Sequence, residues 1–116
     1  MFSLRPNSDS IDVLKYDMVF NEHVVGGIEF RHKNSPLNLA FEGNVCYDVV
    51  SGWRGHGFAV QACQELRKLL PSDLRMLIFC DVSNVASRRV CEKVGARFLG
   101  TVTLPTGGKR NRFVLT

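Results

Sequence analysis

The sequence predicts an α+β domain in which a mixed, mostly antiparallel sheet packs against two main helices. Residues 11–20 and 23–31 are rich in β-forming residues, and their apolar side chains roughly alternate with polar ones, as in the two strands of a hairpin. Apolar residues then recur at three- and four-residue steps over residues 59–70 and again over residues 86–94, the spacing of amphipathic helices. The predicted order is two or three strands, a helix, a strand, a helix and two strands.

The hairpin and the segment after it supply the first strands. On the first strand, the apolar side chains that share one face are Leu14, Tyr16, Met18 and Phe20. A tight turn at residues 21–22 leads into the second strand, where Gly26-Gly27 marks a bulge or a close approach of another chain segment. Residues 33–43 are rich in turn-forming residues, and a further strand follows at about residues 44–50.

The two helices and the last strands follow in the second half of the chain. The first helix carries an apolar stripe formed by Ala59, Ala62, Cys63, Leu66, Leu69 and Leu70. The continuous apolar run at residues 76–80 is too short for a typical helix and suits a strand buried on both faces. Ser83 or Asn84 caps the second helix, and Gly95 closes it. The last two strands are predicted at residues 98–104 and 112–115.

A glycine-bearing loop joins the strand at residues 44–50 to the first helix. Its sequence is Arg54-Gly55-His56-Gly57-Phe58-Ala59. Helix N-termini leave backbone N–H groups unpaired and carry partial positive charge, so the junction can receive phosphate, and glycines let a ligand approach those amides. Phe58 and Ala59 stand where a nucleotide P-loop has Lys and Ser or Thr, and Val60 replaces the third glycine of the dinucleotide fingerprint. The loop is therefore predicted to cradle a pyrophosphate of another ligand class.

Two motifs of this chain resemble signatures of the GNAT superfamily of N-acetyltransferases. Arg54, Gly57 and Ala59 match its R/Q-x-x-G-x-G/A motif, and residues 84–96 resemble its N-x-A-S-x-x-x-x-x-K-x-G segment. The second segment is most similar to the branch that acetylates ribosomal-protein N-termini. The resemblance extends over about residues 11–115, and it implies the acetyltransferase fold, acetyl-CoA as the cofactor and acetyl transfer to a primary amine.

The resemblance also implies which residues hold the cofactor. Main-chain groups of Val49, Val50 and Ser51 would bind the pantetheine arm, as in relatives whose strand at this place separates from its neighbour. The amides of the loop would take the pyrophosphate; they belong to Arg54, Gly55, His56, Gly57, Phe58 and Ala59. Asn84 would bind the pantetheine arm, cap the second helix, or do both.

Acetyl transfer further requires a base for the attacking amine and a group that stabilises or protonates the departing thiolate. Many relatives place a tyrosine seven residues after the motif asparagine as the acid, but here that place holds Cys91. Ser87 is the other candidate acid, since some enzymes of the ribosomal-protein branch use a serine there. Both residues also suit plain helix packing. Asp48, Glu42 and Glu29 are the candidate bases.

The beginning of the chain departs from the family pattern. Residues 2–6 resemble the family's opening strand, yet the hairpin starts only a few residues later, at Ile11. Two helices that usually wall the acceptor side are therefore missing. Their absence predicts an open acceptor groove, a partner chain in the gap, or a domain that binds without catalysing. Uncovered apolar sheet surface would favour a homodimer.

Composition restricts the remaining possibilities. The 116 residues predict a single domain spanning residues 1–116, with no apolar run of membrane-spanning length and no signal peptide. Cys46, Cys63, Cys80 and Cys91 lack metal-ligand spacing, which predicts buried free thiols, no metal site and a reducing cytoplasm. The net charge of +4 suggests nucleic-acid binding as a hypothesis, but the basic residues are scattered along the sequence.

Three functions remain in order of preference. The first is an acetyl-CoA-dependent N-acetyltransferase that acts by direct transfer on an amine-bearing acceptor, either a protein N-terminus or a small molecule. The alternative is a non-catalytic CoA or acyl-CoA-binding module, which the missing helices and missing tyrosine favour. The second alternative is a basic interaction domain that binds nucleic acid.

Overall fold

A computed structural model describes residues 1–8, 10, 12–32 and 36–116 of the chain. Seven strands and three helices follow one another in this described part. In chain order they are β1 (Phe2–Pro6), β2 (Val13–Phe20), β3 (His23–Arg31), α1 (Pro36–Phe41), β4 (Val45–Val49), α2 (Phe58–Leu69), β5 (Met76–Asp81), α3 (Val85–Lys93), β6 (Arg97–Thr103) and β7 (Lys109–Leu115). A short 3-10 helix, Ser51–Trp53, lies between β4 and α2.

The strands form two antiparallel sheets. The first has the order β1-β2-β3-β4, and the second has the order β5-β7-β6. The predicted α+β class is confirmed, although the described strands divide between two sheets that meet at an isolated bridge between Gly43 and Ile78. None of the described helices is long and apolar enough to cross a membrane.

The first hairpin agrees with the sequence prediction. Asn21 and Glu22 adopt φ angles of 49° and 71°, the left-handed conformations of a tight two-residue hairpin turn. Gly26 pairs with Val49 of β4 and lies so close to it that a Cβ atom there would collide with the Asp48 carbonyl oxygen. The close approach predicted for this glycine is therefore confirmed. Ile11 lies outside the described residues.

The core lies between the helices and one face of the sheets. α2 buries Ala62, Cys63 and Leu66 of the predicted stripe, together with Phe58 at its first position, whereas Leu69 at its end is exposed. Asn84 caps α3, because its side chain accepts a hydrogen bond from the Ser87 N–H at 3.0 Å. The prediction of a cap at this end of the helix is confirmed.

One helix was not predicted. Residues 36–41 form the short helix α1 in the segment predicted to be rich in turns. Pro36 occupies its first position, where the fixed φ of proline favours a helix and its missing N–H has no helical partner to lose. Residues 33–35 of the predicted turn-rich segment lie outside the described residues.

The opposite face of the four-stranded sheet is polar. Strand register places Arg5 beside Asp17, Lys15 beside Glu29, and Glu29 beside Cys46 on this face. Arg5 bonds Asp17 at 3.0 Å, and the large apolar residues among the described strand positions here are the half-buried Val13 and Val19 and the exposed Val24, which pairs with Val19. Charged pairs thus replace most of the apolar surface expected from the missing helices. The predicted homodimer stays a prediction.

The two sheets are joined at the start of β4. The Asn44 N–H donates to the Leu77 carbonyl at 3.0 Å, and the Leu77 N–H donates to Asn44 Oδ1 at 2.7 Å. The Asn44 side chain also donates to the Arg75 carbonyl at 2.9 Å. β4 and β5 belong to different sheets beyond this junction, so a cleft opens between them.

The junction requires glycine at position 43. Gly43 has a φ of 73°, and a Cβ atom there would lie 2.5 Å from the Leu77 carbonyl oxygen. Gly43→Ala is expected to lower the free energy of unfolding by about 3 kcal/mol or more, because backbone strain and a collision act together. The measurement is urea-induced unfolding of the variant and the parent chain.

Gly107→Ala is the matched control for that experiment. Gly107 also has a left-handed φ, 96°, but open space surrounds its Cβ position. Only backbone strain should act there, and it costs about 1–2 kcal/mol. Equal losses of stability for the two variants would contradict the close approach at the junction.

Candidate cofactor and active site

A cleft of about 820 Å³ separates β4 from β5. Residues of β4, the glycine loop, the first turn of α2, the end of β5 and the first turns of α3 line it. Its volume lies in the range of small-molecule sites. The cleft therefore brings the two sequence motifs together, since the first motif forms one wall and the second forms the other.

The glycine loop places unpaired amides at one end of this cleft. Gly55 and Gly57 adopt left-handed φ angles of 87° and 76°, and a Cβ atom at either position would meet nothing within 4 Å. Gly57 is the N-cap of α2, and no side chain caps the helix. The first N–H groups of a twelve-residue helix thus face open space, which suits an anion such as pyrophosphate.

The polar main-chain groups of β4 point alternately toward β3 and toward the cleft that separates β4 from β5. The Arg31 N–H bonds the Asn44 carbonyl at 2.9 Å, and the Val50 N–H bonds the Val25 carbonyl at 2.8 Å. Because antiparallel hydrogen bonding alternates by residue, Cys46 and Asp48 also bond toward β3, whereas the odd-numbered residues of β4 direct their N–H and C=O groups away from it. β5 does not pair with this edge, so these groups face the cleft, where the Val49 carbonyl accepts a hydrogen bond from Arg54.

The three residues predicted for the pantetheine arm differ in their main-chain positions. Val49 turns its polar groups to the cleft side, as the prediction requires. Val50 uses its N–H on Val25 and its carbonyl on the Trp53 N–H at 2.8 Å. Ser51 begins the 3-10 helix that leads into the loop. The geometry thus favours Val49 over the other two for this role.

Arg54 holds the loop against the end of β4. Its Nε donates to the Val49 carbonyl at 3.0 Å, and its Nη2 lies 3.7 Å from Asp48 Oδ1. The Arg54 and Asp48 side chains are 65% and 86% exposed, so this ion pair adds little stability. The guanidinium lies on the rim of the cleft, within the part of the loop predicted to bind phosphate.

A tyrosine that the sequence analysis did not single out lies between the two motifs. Tyr47 of β4 places its hydroxyl oxygen 2.6 Å from Ser87 Oγ of α3, and both residues line the cleft. Burial raises the pKa of Tyr47 above its usual range, so the phenol keeps its proton at neutral pH. Its only sequence signal was an aromatic residue at a core-facing position of the motif strand.

Among the predicted catalytic residues, Ser87 and Cys91 have different surroundings. Ser87 borders the cleft at the start of α3, and Asn84 borders it beside Ser87. Cys91 is completely buried behind them and lies outside the cleft lining. Burial raises the pKa of the Cys91 thiol to about 12, so it stays protonated at neutral pH. The geometry thus favours Ser87 over Cys91 as the group that meets a ligand.

The candidate bases lie toward the polar face of the sheet. Asp48 and Glu42 border the cleft, and Asp48 is almost fully exposed. Glu42 and Glu29 each lie 3.2 Å from the Arg31 guanidinium. Asp48 and Glu42 are therefore the two candidate bases that border the cleft.

The cysteines are all free, but one of them is exposed. Cys63, Cys80 and Cys91 are buried, as predicted, whereas Cys46 is exposed. The prediction was wrong for Cys46 because alternation along β4 directs its side chain to the polar, uncovered face. The described residues contain no group of three or more His, Cys, Asp or Glu side chains that could hold a metal ion.

The difference in exposure between Cys46 and the three buried cysteines predicts one fast-reacting thiol. With an aromatic disulfide reagent, Cys46 should react first in the native protein, while Cys63, whose pKa burial raises to about 12, should react only after unfolding. Burial also raises the pKa of Cys46, so its rate should keep rising above pH 9. Cys46→Ser should remove the fast phase. A fast phase that persists in this variant would contradict the assignment.

The fold and the cleft define the class of protein. Two antiparallel sheets separate beside a glycine loop at a helix N-terminus, as the resemblance to N-acetyltransferases implied. The family model of the GNAT acetyltransferase domain matches residues 5–97, and the chain belongs to this family. The family membership and the fold class predicted from the two motifs are confirmed.

Solved structures show the same fold. The self-immunity acetyltransferase MccE for microcin C7, in complex with acetyl-CoA and AMP, is 18% identical with a TM-score of 0.71, over 90% of this chain and 61% of that chain. An acetyltransferase from Salmonella typhimurium that modifies the N-terminal serine of ribosomal protein L7/L12 is 19% identical with a TM-score of 0.71, over 90% and 64%.

The aminoglycoside acetyltransferase AAC(6')-Ib in complex with coenzyme A is 21% identical with a TM-score of 0.70, over 90% of this chain and 66% of that chain. At these low sequence identities, the structural similarity shows only that the fold is shared. The chain spans about three fifths to two thirds of the length of these three proteins. A search of curated protein sequences found no significant match.

Proposed function

We propose that this chain binds acetyl-CoA in the cleft between β4 and β5 and transfers the acetyl group directly to a primary amine. The observation that carries the proposal is the uncapped N-terminus of α2, where Gly55 and Gly57 leave the amides open to the cleft. Membership in the GNAT acetyltransferase family supports the same ligand.

The lining of the cleft fits the parts of this ligand. The amides of residues 54–59 would hold the pyrophosphate, and Arg89 and Lys93 on the α3 side add positive charge for the remaining phosphate. Main-chain groups on the free edge of β4, including the Val49 carbonyl, would bond the amides of the pantetheine arm. Arg54 would have to share that carbonyl or release it when the arm binds.

Bound acetyl-CoA supplies a thioester: the amine nitrogen forms a C–N bond to the acetyl carbon, the C–S bond breaks with its electron pair on sulfur, and the amine proton leaves to a base. The chain's own residues would orient and stabilise this exchange. Ser87 would donate a hydrogen bond to the sulfur, and Asp48 or Glu42 would receive the amine proton, directly or through water.

The acceptor would enter from the polar face of the four-stranded sheet. Asp48 and Glu42 stand at that mouth of the cleft, and no helix of the described residues lies between β1 and β2 to cover it. Structural neighbours act on a ribosomal-protein N-terminus and on aminoglycosides, so both an N-terminal amine and a small amine are suitable acceptors to test.

A non-catalytic acyl-CoA-binding module is the second candidate function. It is favoured by the surroundings of the candidate bases, since Asp48 is almost fully exposed and Glu42 pairs with Arg31. Release of CoA thiol in the presence of an N-terminal serine peptide or an aminoglycoside would distinguish the two functions. Binding without any release would favour the module.

Cofactor binding is tested by a calorimetric titration with acetyl-CoA. Ala59→Glu places a carboxylate in the first turn of α2, where it lines the cleft. The change favours the helix but repels the pyrophosphate, so affinity should fall at least about tenfold. This position is a better probe than Gly57, whose left-handed φ of 76° would strain any larger residue.

Gln64→Glu is the matched control, since it adds the same charge to an exposed position of α2 outside the cleft. Its affinity should stay within about twofold of the parent chain. Saturable binding that only Ala59→Glu weakens is the expected result. No binding by the parent chain, or equal binding by all three proteins, would overturn the proposal.

A further inference from the structure

A hydrogen bond crosses the floor of the cleft between residues forty positions apart. The Tyr47 hydroxyl lies 2.6 Å from Ser87 Oγ, while its distance to the Ser87 carbonyl is 3.5 Å. Only the shorter distance suits a hydroxyl donor. The Ser87 N–H is already used on Asn84 Oδ1, which fixes the serine at the first turn of α3.

Two thiols belong to the core beside this pair. Cys91 and Cys80 are both buried in the core against which Tyr47 packs. Burial raises the pKa of both thiols, so each keeps its proton at neutral pH.

The chemistry of the two hydroxyls favours one direction for this bond. A phenol is the stronger donor and an alkyl hydroxyl the stronger acceptor, so the tyrosine hydrogen points to Ser87 Oγ. Ser87 then has its own hydrogen free, and Ser87 lines the cleft. A serine without such a donor would be free to turn its hydrogen back to its own helix, as serine often does.

We propose that Tyr47 is a positioning residue that holds the Ser87 hydroxyl with its hydrogen directed into the cleft, toward the sulfur of a bound coenzyme A thioester or thiol. The inference rests on the proposed function of the cleft. Neither hydroxyl has to ionise: sulfur keeps the electron pair of the broken C–S bond, and Ser87 donates a hydrogen bond to it. Without the tyrosine hydroxyl, Ser87 would stay in place, but the direction of its hydroxyl hydrogen would no longer be fixed.

Tyr47→Phe isolates this hydroxyl. The ring of Tyr47 packs against the core and would be kept, whereas the bond to Ser87 would be lost. Tyr16→Phe is the matched control, because Tyr16 lies on the same face of the sheet, packs against the same core, and lies outside the cleft lining. Thermal unfolding of both variants checks that the fold survives.

The first readout is the thiol pKa of coenzyme A bound to the protein, followed by ultraviolet absorbance of the thiolate. A directed Ser87 hydroxyl stabilises the thiolate, so the bound thiol should titrate at lower pH in the parent chain than in Tyr47→Phe or Ser87→Ala. Tyr16→Phe should match the parent chain. This readout does not depend on turnover.

The second readout is acetyl transfer. Tyr47→Phe should lower kcat about tenfold or more with acetyl-CoA affinity within about twofold of the parent. Ser87→Ala should do the same, and the double variant should be no slower than Ser87→Ala, since the two hydroxyls act as one unit.

The outcomes distinguish the role of Tyr47 from the proposed function of the cleft. An unchanged thiol pKa in Tyr47→Phe overturns the role of Tyr47, and so does an additive loss of kcat in the double variant. If coenzyme A binds and no acceptor is acetylated, the transferase function fails, and the thiol pKa alone decides the role of Tyr47. If coenzyme A does not bind, both proposals fail.

Discussion

The site depends on the junction at Gly43 and Asn44, where the two sheets meet. Asn44 bonds Leu77 in both directions and Arg75 through its side chain, and Gly43 permits the approach. These bonds hold the start of β4 against the start of β5. Because the two strands belong to different sheets beyond that point, the rest of β4 has a free main-chain edge. An additional ladder of hydrogen bonds between them would close the cleft.

The core-facing side chains, the outward side chains and the main-chain edge of β4 face three different parts of the site. Its core-facing side chains include Tyr47, which meets α3, and its outward side chains include Asp48, which reaches the polar face. Its free edge turns main-chain groups such as the Val49 carbonyl to the cleft. Cofactor and acceptor would therefore approach one strand from different sides, which is the geometry that direct transfer between them requires.

The sequence predicted the parts of this structure that depend on local pattern. The Asn21-Glu22 turn, the stripe of α2 and the Asn84 cap follow from side-chain spacing, and the glycine loop was recognised from its motif. Contacts between distant residues were missed. The division into two sheets, the bond from Tyr47 to Ser87 and the charged face of the first sheet all depend on pairings that periodicity does not reveal. The helix α1 was missed because a turn-rich segment and a one-and-a-half-turn helix look alike in sequence.

The most direct test of the central claim is a nitrogen–proton NMR titration with coenzyme A, which has no acetyl group to transfer. If the cleft between the sheets is the site, the amides of residues 54–59 and the cleft-facing amides of Tyr47 and Val49 should shift together and saturate at one concentration. Amides of β6, at the far edge of the second sheet, should stay unchanged. Shifts confined to β6, or no shifts in the loop, would contradict the account.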